Sequence, residues 1–277
     1  MEPVTVFAPN PGTIRIGPGE VHAWLVNLDG WTASRLVLDP GERDRSASYL
    51  RPQDGTRFAA SRAAVKVIVS GYLGCEPARL RIVTGVRGQP KLAGHSLQFS
   101  LSRSGSAALL AVSPDPVGAD LEFVRPRAGL ADLVAARFAT AEAACVAAGC
   151  GGSQTRSFYR HWVAKEAYLK ATGRGLAALR DTALFCGSTP VIRFLGAAEP
   201  AWKICETEPA PGYLAAIVAA QPVTAWRQMA ELPRVGWRAG HRRQDRSARQ
   251  AEPDPGPLQA GRGGRDDDLV AVLQPGP

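Results

Sequence analysis

Thr155-Arg156-Ser157-Phe158-Tyr159-Arg160-His161-Trp162-Val163-Ala164-Lys165-Glu166-Ala167-Tyr168-Leu169-Lys170-Ala171-Thr172 carries the strongest helical pattern in the chain. Ser153 or Thr155 offers a cap and Gly173 a stop. Trp162 and Leu169 share a side that can anchor to a core. Glu166 and Lys170 stand one turn apart on one face, and Lys165 lies about 100° away from Glu166. Working outward, Leu130–Phe138 and Ala141–Ala148 read as helices, the second ended by Gly149. Downstream, Thr182–Cys186, Val191–Leu195, Trp202–Cys205 and Tyr213–Ala219 read as strands. An earlier cycle has a strand at His22–Leu28 and an Ala- and Val-rich helix at Phe58–Leu73 that stops near Gly74. Strands at Leu80–Thr84, Leu97–Leu101, Ala107–Val112 and Val117–Val124 follow it, with Ser102-Arg103-Ser104-Gly105 as a hairpin turn. Two successive rounds of helix then strands predict an α+β protein of two similar halves, residues 1–117 and 118–230, without a residue-level repeat.

The chain has 277 residues, 45% apolar and 21% charged, as a globular protein does. It contains no run of about 18 apolar residues, so no spanning helix is expected. Met1–Pro11 lacks a basic start followed by an apolar stretch, which predicts a cytoplasmic protein without a secretory signal. Residues 231–277 are rich in Arg, Pro, Gly and Asp, show no hydrophobic period, and are expected to be a disordered tail. That stretch holds eight arginines and seven acids, so +7 of the +8 net charge resides in the body. Such a body favours acidic partners. The five cysteines (Cys75, Cys145, Cys150, Cys186, Cys205) are odd in number and form no C-x-x-C, which argues against a zinc site or disulfide framework. Buried free thiols are expected instead. His22, His95, His161 and His241 show no helical metal-ligand spacing, so a metal should be a hard cation held by carboxylates.

Two constellations carry chemistry. In Val117-Gly118-Ala119-Asp120-Leu121-Glu122, a strand would project Asp120 and Glu122 from one face. Side-by-side carboxylates repel unless a cation lies between them, and Mg²⁺ that also binds phosphates is a natural occupant. Read alone, D-x-E on a strand is a weak signal, and the solvated outer face of an edge strand fits it better. Glu166 and Lys170 could complete a metal site and neutralise a departing phosphate; alone, they are an ordinary i,i+4 ion pair worth a few tenths of a kcal/mol.

Taken together, Gly118-x-Asp120-x-Glu122 and Trp162-x-x-Lys165-Glu166-Ala167-x-x-Lys170 resemble the signature of the 4′-phosphopantetheinyl transferase superfamily. The resemblance is nearer to its larger, surfactin-synthetase-activating branch and covers roughly residues 35–220. Arg57 and Arg62 open the first long helix as in that branch, and Phe138-Ala139-Thr140-Ala141-Glu142 is similar to its F-x-x-x-E. Gly88-Gln89-Pro90 stands where the branch has G-K-P, and Phe99-Ser100-Leu101-Ser102-Arg103-Ser104-Gly105 where it has F-N-x-S-H-S-G.

The resemblance implies a small, mostly antiparallel sheet packed with helices in each half. The first half would recognise the adenosine and 3′-phosphate of coenzyme A, and the second would hold metal and catalytic residues. It implies Mg²⁺ on Asp120, Glu122 and Glu166 against the pyrophosphate of coenzyme A, attack of a carrier serine on the β-phosphorus, and release of 3′,5′-ADP. Lys170 would stabilise charge on the leaving phosphate, and Glu166 or Glu142 would take the serine proton. Glu142 equally fits an exposed acid in the first turn of a helix. Coenzyme A would be bound by Arg45, Arg57, Gln89, Pro90, Ser102, Arg103, Asp120, Lys165 and Lys170, while Arg62 and Lys66 could simply decorate a helix. Gln89 replaces the branch's lysine and Arg103 its histidine, so Arg103 is expected to take over most of the 3′-phosphate, although a solvent-facing turn arginine also fits. The expected partner is an acidic acyl or peptidyl carrier protein of secondary metabolism, met by a monomer, with no nucleic acid and no membrane. A basic nucleic-acid-binding module explains the charge but not the paired acids. A decayed relative that binds coenzyme A without turnover is opposed by the intact Asp120, Glu122, Glu166 and Lys170.

Overall fold

In chain order the elements are β1 (Glu20–Asn27), α1 (Pro40–Ala47), α2 (Pro52–Leu73), β2 (Ile82–Thr84), β3 (Pro90–Leu92), β4 (Gln98–Ser104), β5 (Ala107–Ser113), β6 (Val117–Phe123), α3 (Leu130–Arg137), α4 (Thr140–Ala147), α5 (Gln154–Thr172), β7 (Thr182–Phe185), β8 (Val191–Phe194), β9 (Trp202–Thr207), β10 (Tyr213–Ala220) and β11 (Ala225–Met229). The computed structural model describes residues 14–29, 37–85, 89–186, 190–195, 202–220 and 222–229, all within the unit Met1–Gly236. The tail expected at 231–277 and Gly88 of the Gly88-Gln89-Pro90 motif lie outside the described residues. Among the described helices none is long and apolar enough to cross a membrane.

Two sheets form the centre of an α+β architecture. One has the order β11-β1-β5-β4, the other β6-β10-β9, and β2-β3 and β7-β8 are separate ribbons. All pairings are antiparallel except β1 with β11. β5 is buried along its whole length because each of its faces meets a different layer. Ala108, Leu110 and Val112 pack under α2 with Trp24, Val26, Val65 and Ile68. Ala107, Leu109 and Ala111 face the second sheet through Val117, Ala119, Leu121, Ala215 and Ile217. Helix α5 covers the outer face of that second sheet, against β6 and β10. The order of layers is therefore helix, sheet, sheet, helix, with each sheet shielding one side of the other.

Local chemistry moves several expected boundaries. The hairpin turn is Gly105-Ser106, not Ser102–Gly105, because β4 runs on to Ser104 opposite Ala107. Gly105 takes φ +58°, as a two-residue hairpin turn demands. Helix α2 starts at Pro52, where a missing N–H costs nothing. Ser153 caps α5 by accepting from Arg156 N, and Gly173 closes it in a left-handed turn. Helix α1 was not legible as an apolar pattern. Its start is a capping box in which Asp39 accepts from Glu42 N and Glu42 accepts from Asp39 N. It is fastened to α2 by Lys66, whose Nζ lies 2.6 Å from Glu42 Oε2 and which is 1% exposed. Lys66 is thus a buried ion-pair partner and not helix decoration.

Candidate active site

The alternation of β6 decides where its acids point. Val117, Ala119 and Leu121 enter the core between the sheets, so Gly118, Asp120 and Glu122 face α5. Gly118 is the point of closest approach. A Cβ there would lie 2.0 Å from the Ala167 carbonyl oxygen and 2.4 Å from Ala171 N. Its lack of a side chain lets the strand meet the helix backbone to backbone, and this brings Asp120 to Lys170 and Glu166. Lys170 Nζ is 2.6 Å from Asp120 Oδ1, 3.7 Å from Glu166 Oε2 and 3.2 Å from the Ala119 carbonyl.

Strand β4 borders this group without a backbone ladder to β6. Its alternate serines make the junction instead. Ser100 Oγ accepts from Ala119 N at 2.9 Å and Ser104 Oγ accepts from Phe123 N at 3.0 Å. Ser102 Oγ donates to Asp120 Oδ1 at 2.7 Å, and Ser104 Oγ donates to Glu122 Oε2 at 2.8 Å. The serines satisfy edge donors of β6 and orient both acids. Ser100 and Ser104 were not singled out in the sequence, although the S-x-S-x-S alternation was the available signal.

With every group ionised, three carboxylates and one ammonium leave a net charge of −2 in a largely buried place. Burial, then the Asp120 charge, pushes the Glu122 carboxyl up to about 7. Burial, then Asp120, pushes Glu166 up to about 8 against the opposing pull of Lys170. Burial alone would lower the Lys170 ammonium, but Asp120 and Glu166 outweigh it and raise it. Asp120 is 2% exposed, and its Oδ2 is buried with no hydrogen-bond partner. An orphaned carboxylate oxygen among oxygen donors with a double negative excess fits a hard divalent cation.

The other expected residues fall into two groups. Glu142 and Lys165 pair with each other, at 3% and 0% exposure. Glu142 Oε2 also accepts from Ala139 N at 3.0 Å and Oε1 from Leu184 N at 2.8 Å, while Lys165 sits 4.7 Å over the Phe138 ring. Glu142 is neither an exposed first-turn acid nor a base with an open oxygen. It locks α4 to α5 and β7, and Lys165 is its counter-ion. The second group is basic. The guanidinium carbons of Arg45, Arg62 and Arg103 lie 5.9, 5.9 and 5.4 Å from the centre of the Phe58 ring. Arg103 reaches it because residues on β4 alternate: Ser102 and Ser104 face β6, and Arg103 faces α2. It is no turn residue. Arg57 stands apart in a two-pronged pair with Asp29 at 2.7 and 2.9 Å. Gln89 and Pro90 lead into β3, where the Gln89 carbonyl accepts from Gly85 N at 2.7 Å.

Residues 116–218 match the family description ACPS: 4′-phosphopantetheinyl transferase superfamily. The protein named 4′-phosphopantetheinyl transferase HetI, of Nostoc sp. (strain PCC 7120 / SAG 25.82 / UTEX 2576), is 33% identical over 224 residues, 77% of this chain and 93% of the relative. AcpT of Escherichia coli O157:H7, named as the same kind of transferase, is 35% identical over 144 residues, 51% of this chain and 69% of its own. Sfp of Bacillus subtilis (strain 168), again so named, is 25% identical over 190 residues, 67% and 83% of the two chains.

Proposed function

Because the chain belongs to the 4′-phosphopantetheinyl transferase superfamily, we propose that it moves the phosphopantetheine arm of coenzyme A onto a serine of an apo carrier protein at the Asp120–Glu122–Glu166–Lys170 cluster. The observation that carries this is the meeting of Asp120 from the strand and Glu166 from the helix at Lys170, with Glu122 on the same strand held by Ser104. A magnesium ion held there by Asp120, Glu122 and Glu166 would supply charge neutralisation for a pyrophosphate. The chain's own residues do the rest. Lys170, fixed by Asp120 and the Ala119 carbonyl, balances negative charge as the 3′,5′-ADP phosphate departs. Glu166 takes the proton of the attacking serine hydroxyl, since both oxygens of Glu142 are occupied by Ala139 N, Lys165 and Leu184 N. Ser102 and Ser104 hold the two strand acids in position.

Arg103, with Arg45 and Arg62 beside it on Phe58, is the receptor for the 3′-phosphate of coenzyme A. Arg57, in our reading, serves the adenosine end from its pair with Asp29. We assign the first half, residues 1–117, to nucleotide recognition and the second, residues 118–230, to metal and chemistry. That both sets of residues occur in one chain supports a monomeric enzyme of the larger branch, serving acidic carrier proteins of secondary metabolism. The body's charge of +7 suits such partners. The five unpaired cysteines agree with work in the cytoplasm.

The test is to mix the protein with an apo acyl or peptidyl carrier protein, coenzyme A and Mg²⁺. The carrier should gain the phosphopantetheine mass on one serine. No gain on any of several carriers, with the protein folded, overturns the reading.

A further inference from the structure

Cys145 on α4, His161 on α5 and Cys186 just past β7 are far apart in sequence, yet the structure gathers them. One ligand atom from each lies within 4.8 Å of the other two. Cys186 Sγ is 3.7 Å from His161 Nε2. A carbonyl oxygen can only accept, so the 2.8 Å contact from His161 Nδ1 to the Ser157 carbonyl puts the ring proton on Nδ1. The Nε2 lone pair is then directed at the sulfurs, with its orientation fixed from behind as metal-binding imidazoles are fixed. Cys150 lies beside Cys145, where its N closes the turn after α4 on the Cys145 carbonyl at 3.1 Å, and rotation of its thiol would bring a fourth donor to the group.

We propose that Cys145, Cys150, His161 and Cys186 form a zinc site separate from the carboxylate cluster. Zinc takes four sulfur or nitrogen donors in a tetrahedron, with bonds of about 2.3 Å to sulfur and about 2.0 Å to nitrogen; its ligand atoms then lie roughly 3.5–3.8 Å apart. The 3.7 Å contact already meets that spacing, and the 4.8 Å limit leaves Cys145, His161 and Cys186 only a small contraction, while the Cys150 thiol turns in from outside that limit. The donor set is soft, so magnesium does not compete for it. Three thiolates and a neutral imidazole on a divalent ion carry one negative charge, beside the Arg160–Glu206 ion pair, whose two prongs are each 2.7 Å. His161 is 1% exposed, but Cys186 is exposed and gives the ion an entry path. The site would tie α4, α5 and the end of β7 together, five residues along α5 from Glu166.

The experiment is a Co²⁺ titration of reduced, metal-free full-length protein. A single equivalent should develop thiolate-to-cobalt charge-transfer absorption and the visible bands of tetrahedral cobalt. Zn²⁺ should bleach both and excess Mg²⁺ neither. Cys186→Ser should lose most of the absorption, whereas Cys75→Ser should keep it. Absence of the bands in natively folded protein refutes the site. So does their persistence in a Cys145→Ser/Cys186→Ser double variant, or a Cys145–Cys186 disulfide in protein whose reduced form binds no cobalt. The readout is independent of carrier modification, and the wild-type titration needs no variant to fold.

Discussion

Replacing Gly118 by alanine tests the claim that strand-to-helix contact assembles the site. The new Cβ would stand 2.0 Å from the Ala167 carbonyl oxygen, where ordinary contact begins at 3.4 Å. Both atoms are held by backbone, so β6 and α5 must part by about 1.4 Å. The strain of overpacking is about 1–3 kcal/mol. The reduced freedom of the unfolded chain returns roughly 0.4–1 kcal/mol. A modest fall in Tm of a few degrees is therefore expected. The effect on chemistry should be much larger, because the same movement pulls Asp120 from Lys170, now 2.6 Å apart, and from Glu166. A displacement of about 1 Å at a reacting centre costs on the order of 100-fold in rate. The assay is the initial rate of holo-carrier formation by mass spectrometry, beside thermal unfolding by circular dichroism. Gly41→Ala is the control: its nearest neighbour, an Asp39 carboxylate oxygen, is 3.5 Å away, so neither rate nor Tm should fall. A Gly118→Ala enzyme within twofold of wild type, with unchanged Tm, would refute the reasoning.

Three further outcomes are expected. Glu142→Ala leaves Lys165 charged in the interior and should cost about 3–5 kcal/mol in urea unfolding, while a Glu142→Leu/Lys165→Met double variant recovers most of it. Equal losses in the single and double variants would contradict the buried-pair account. Arg103→Ala should raise KM for coenzyme A far more than for dephospho-coenzyme A, and equal increases would remove Arg103 from 3′-phosphate recognition. EDTA should stop turnover, and Mg²⁺ at about 100 times its Kd should stabilise the wild type by about 2.7 kcal/mol. Asp120→Asn should lose that stabilisation, and retaining it would exclude Asp120 as a ligand.

How far the sequence could be read depended on whether the signal was local. Helix α5 and strand β6 were legible, and with them Asp120, Glu122, Glu166 and Lys170, because their period, caps and glycine stops lie within the segments themselves. Helix α1 was not. It has few apolar residues and is held by Glu42 and Lys66, which meet across 24 positions. The five-residue β11 also escaped notice, for it exists only as the parallel neighbour of β1. Cysteine spacing argued against a zinc site, but spacing says nothing about Cys145 and Cys186 once α4, α5 and β7 fold together.

The sequence alone determined which residues could do chemistry and on which faces of strand and helix they stood, since periods of 2 and 3.6 fix direction along one element. Only the tertiary structure decided which of them share a space. It sent Asp120 and Lys170 to one cluster, and it turned Glu142 and Lys165, 23 positions apart, into a buried pair. The physical reason is that adjacency between elements is set by packing. Here a glycine lets a strand lie against a helix, and no period within either segment records that distance.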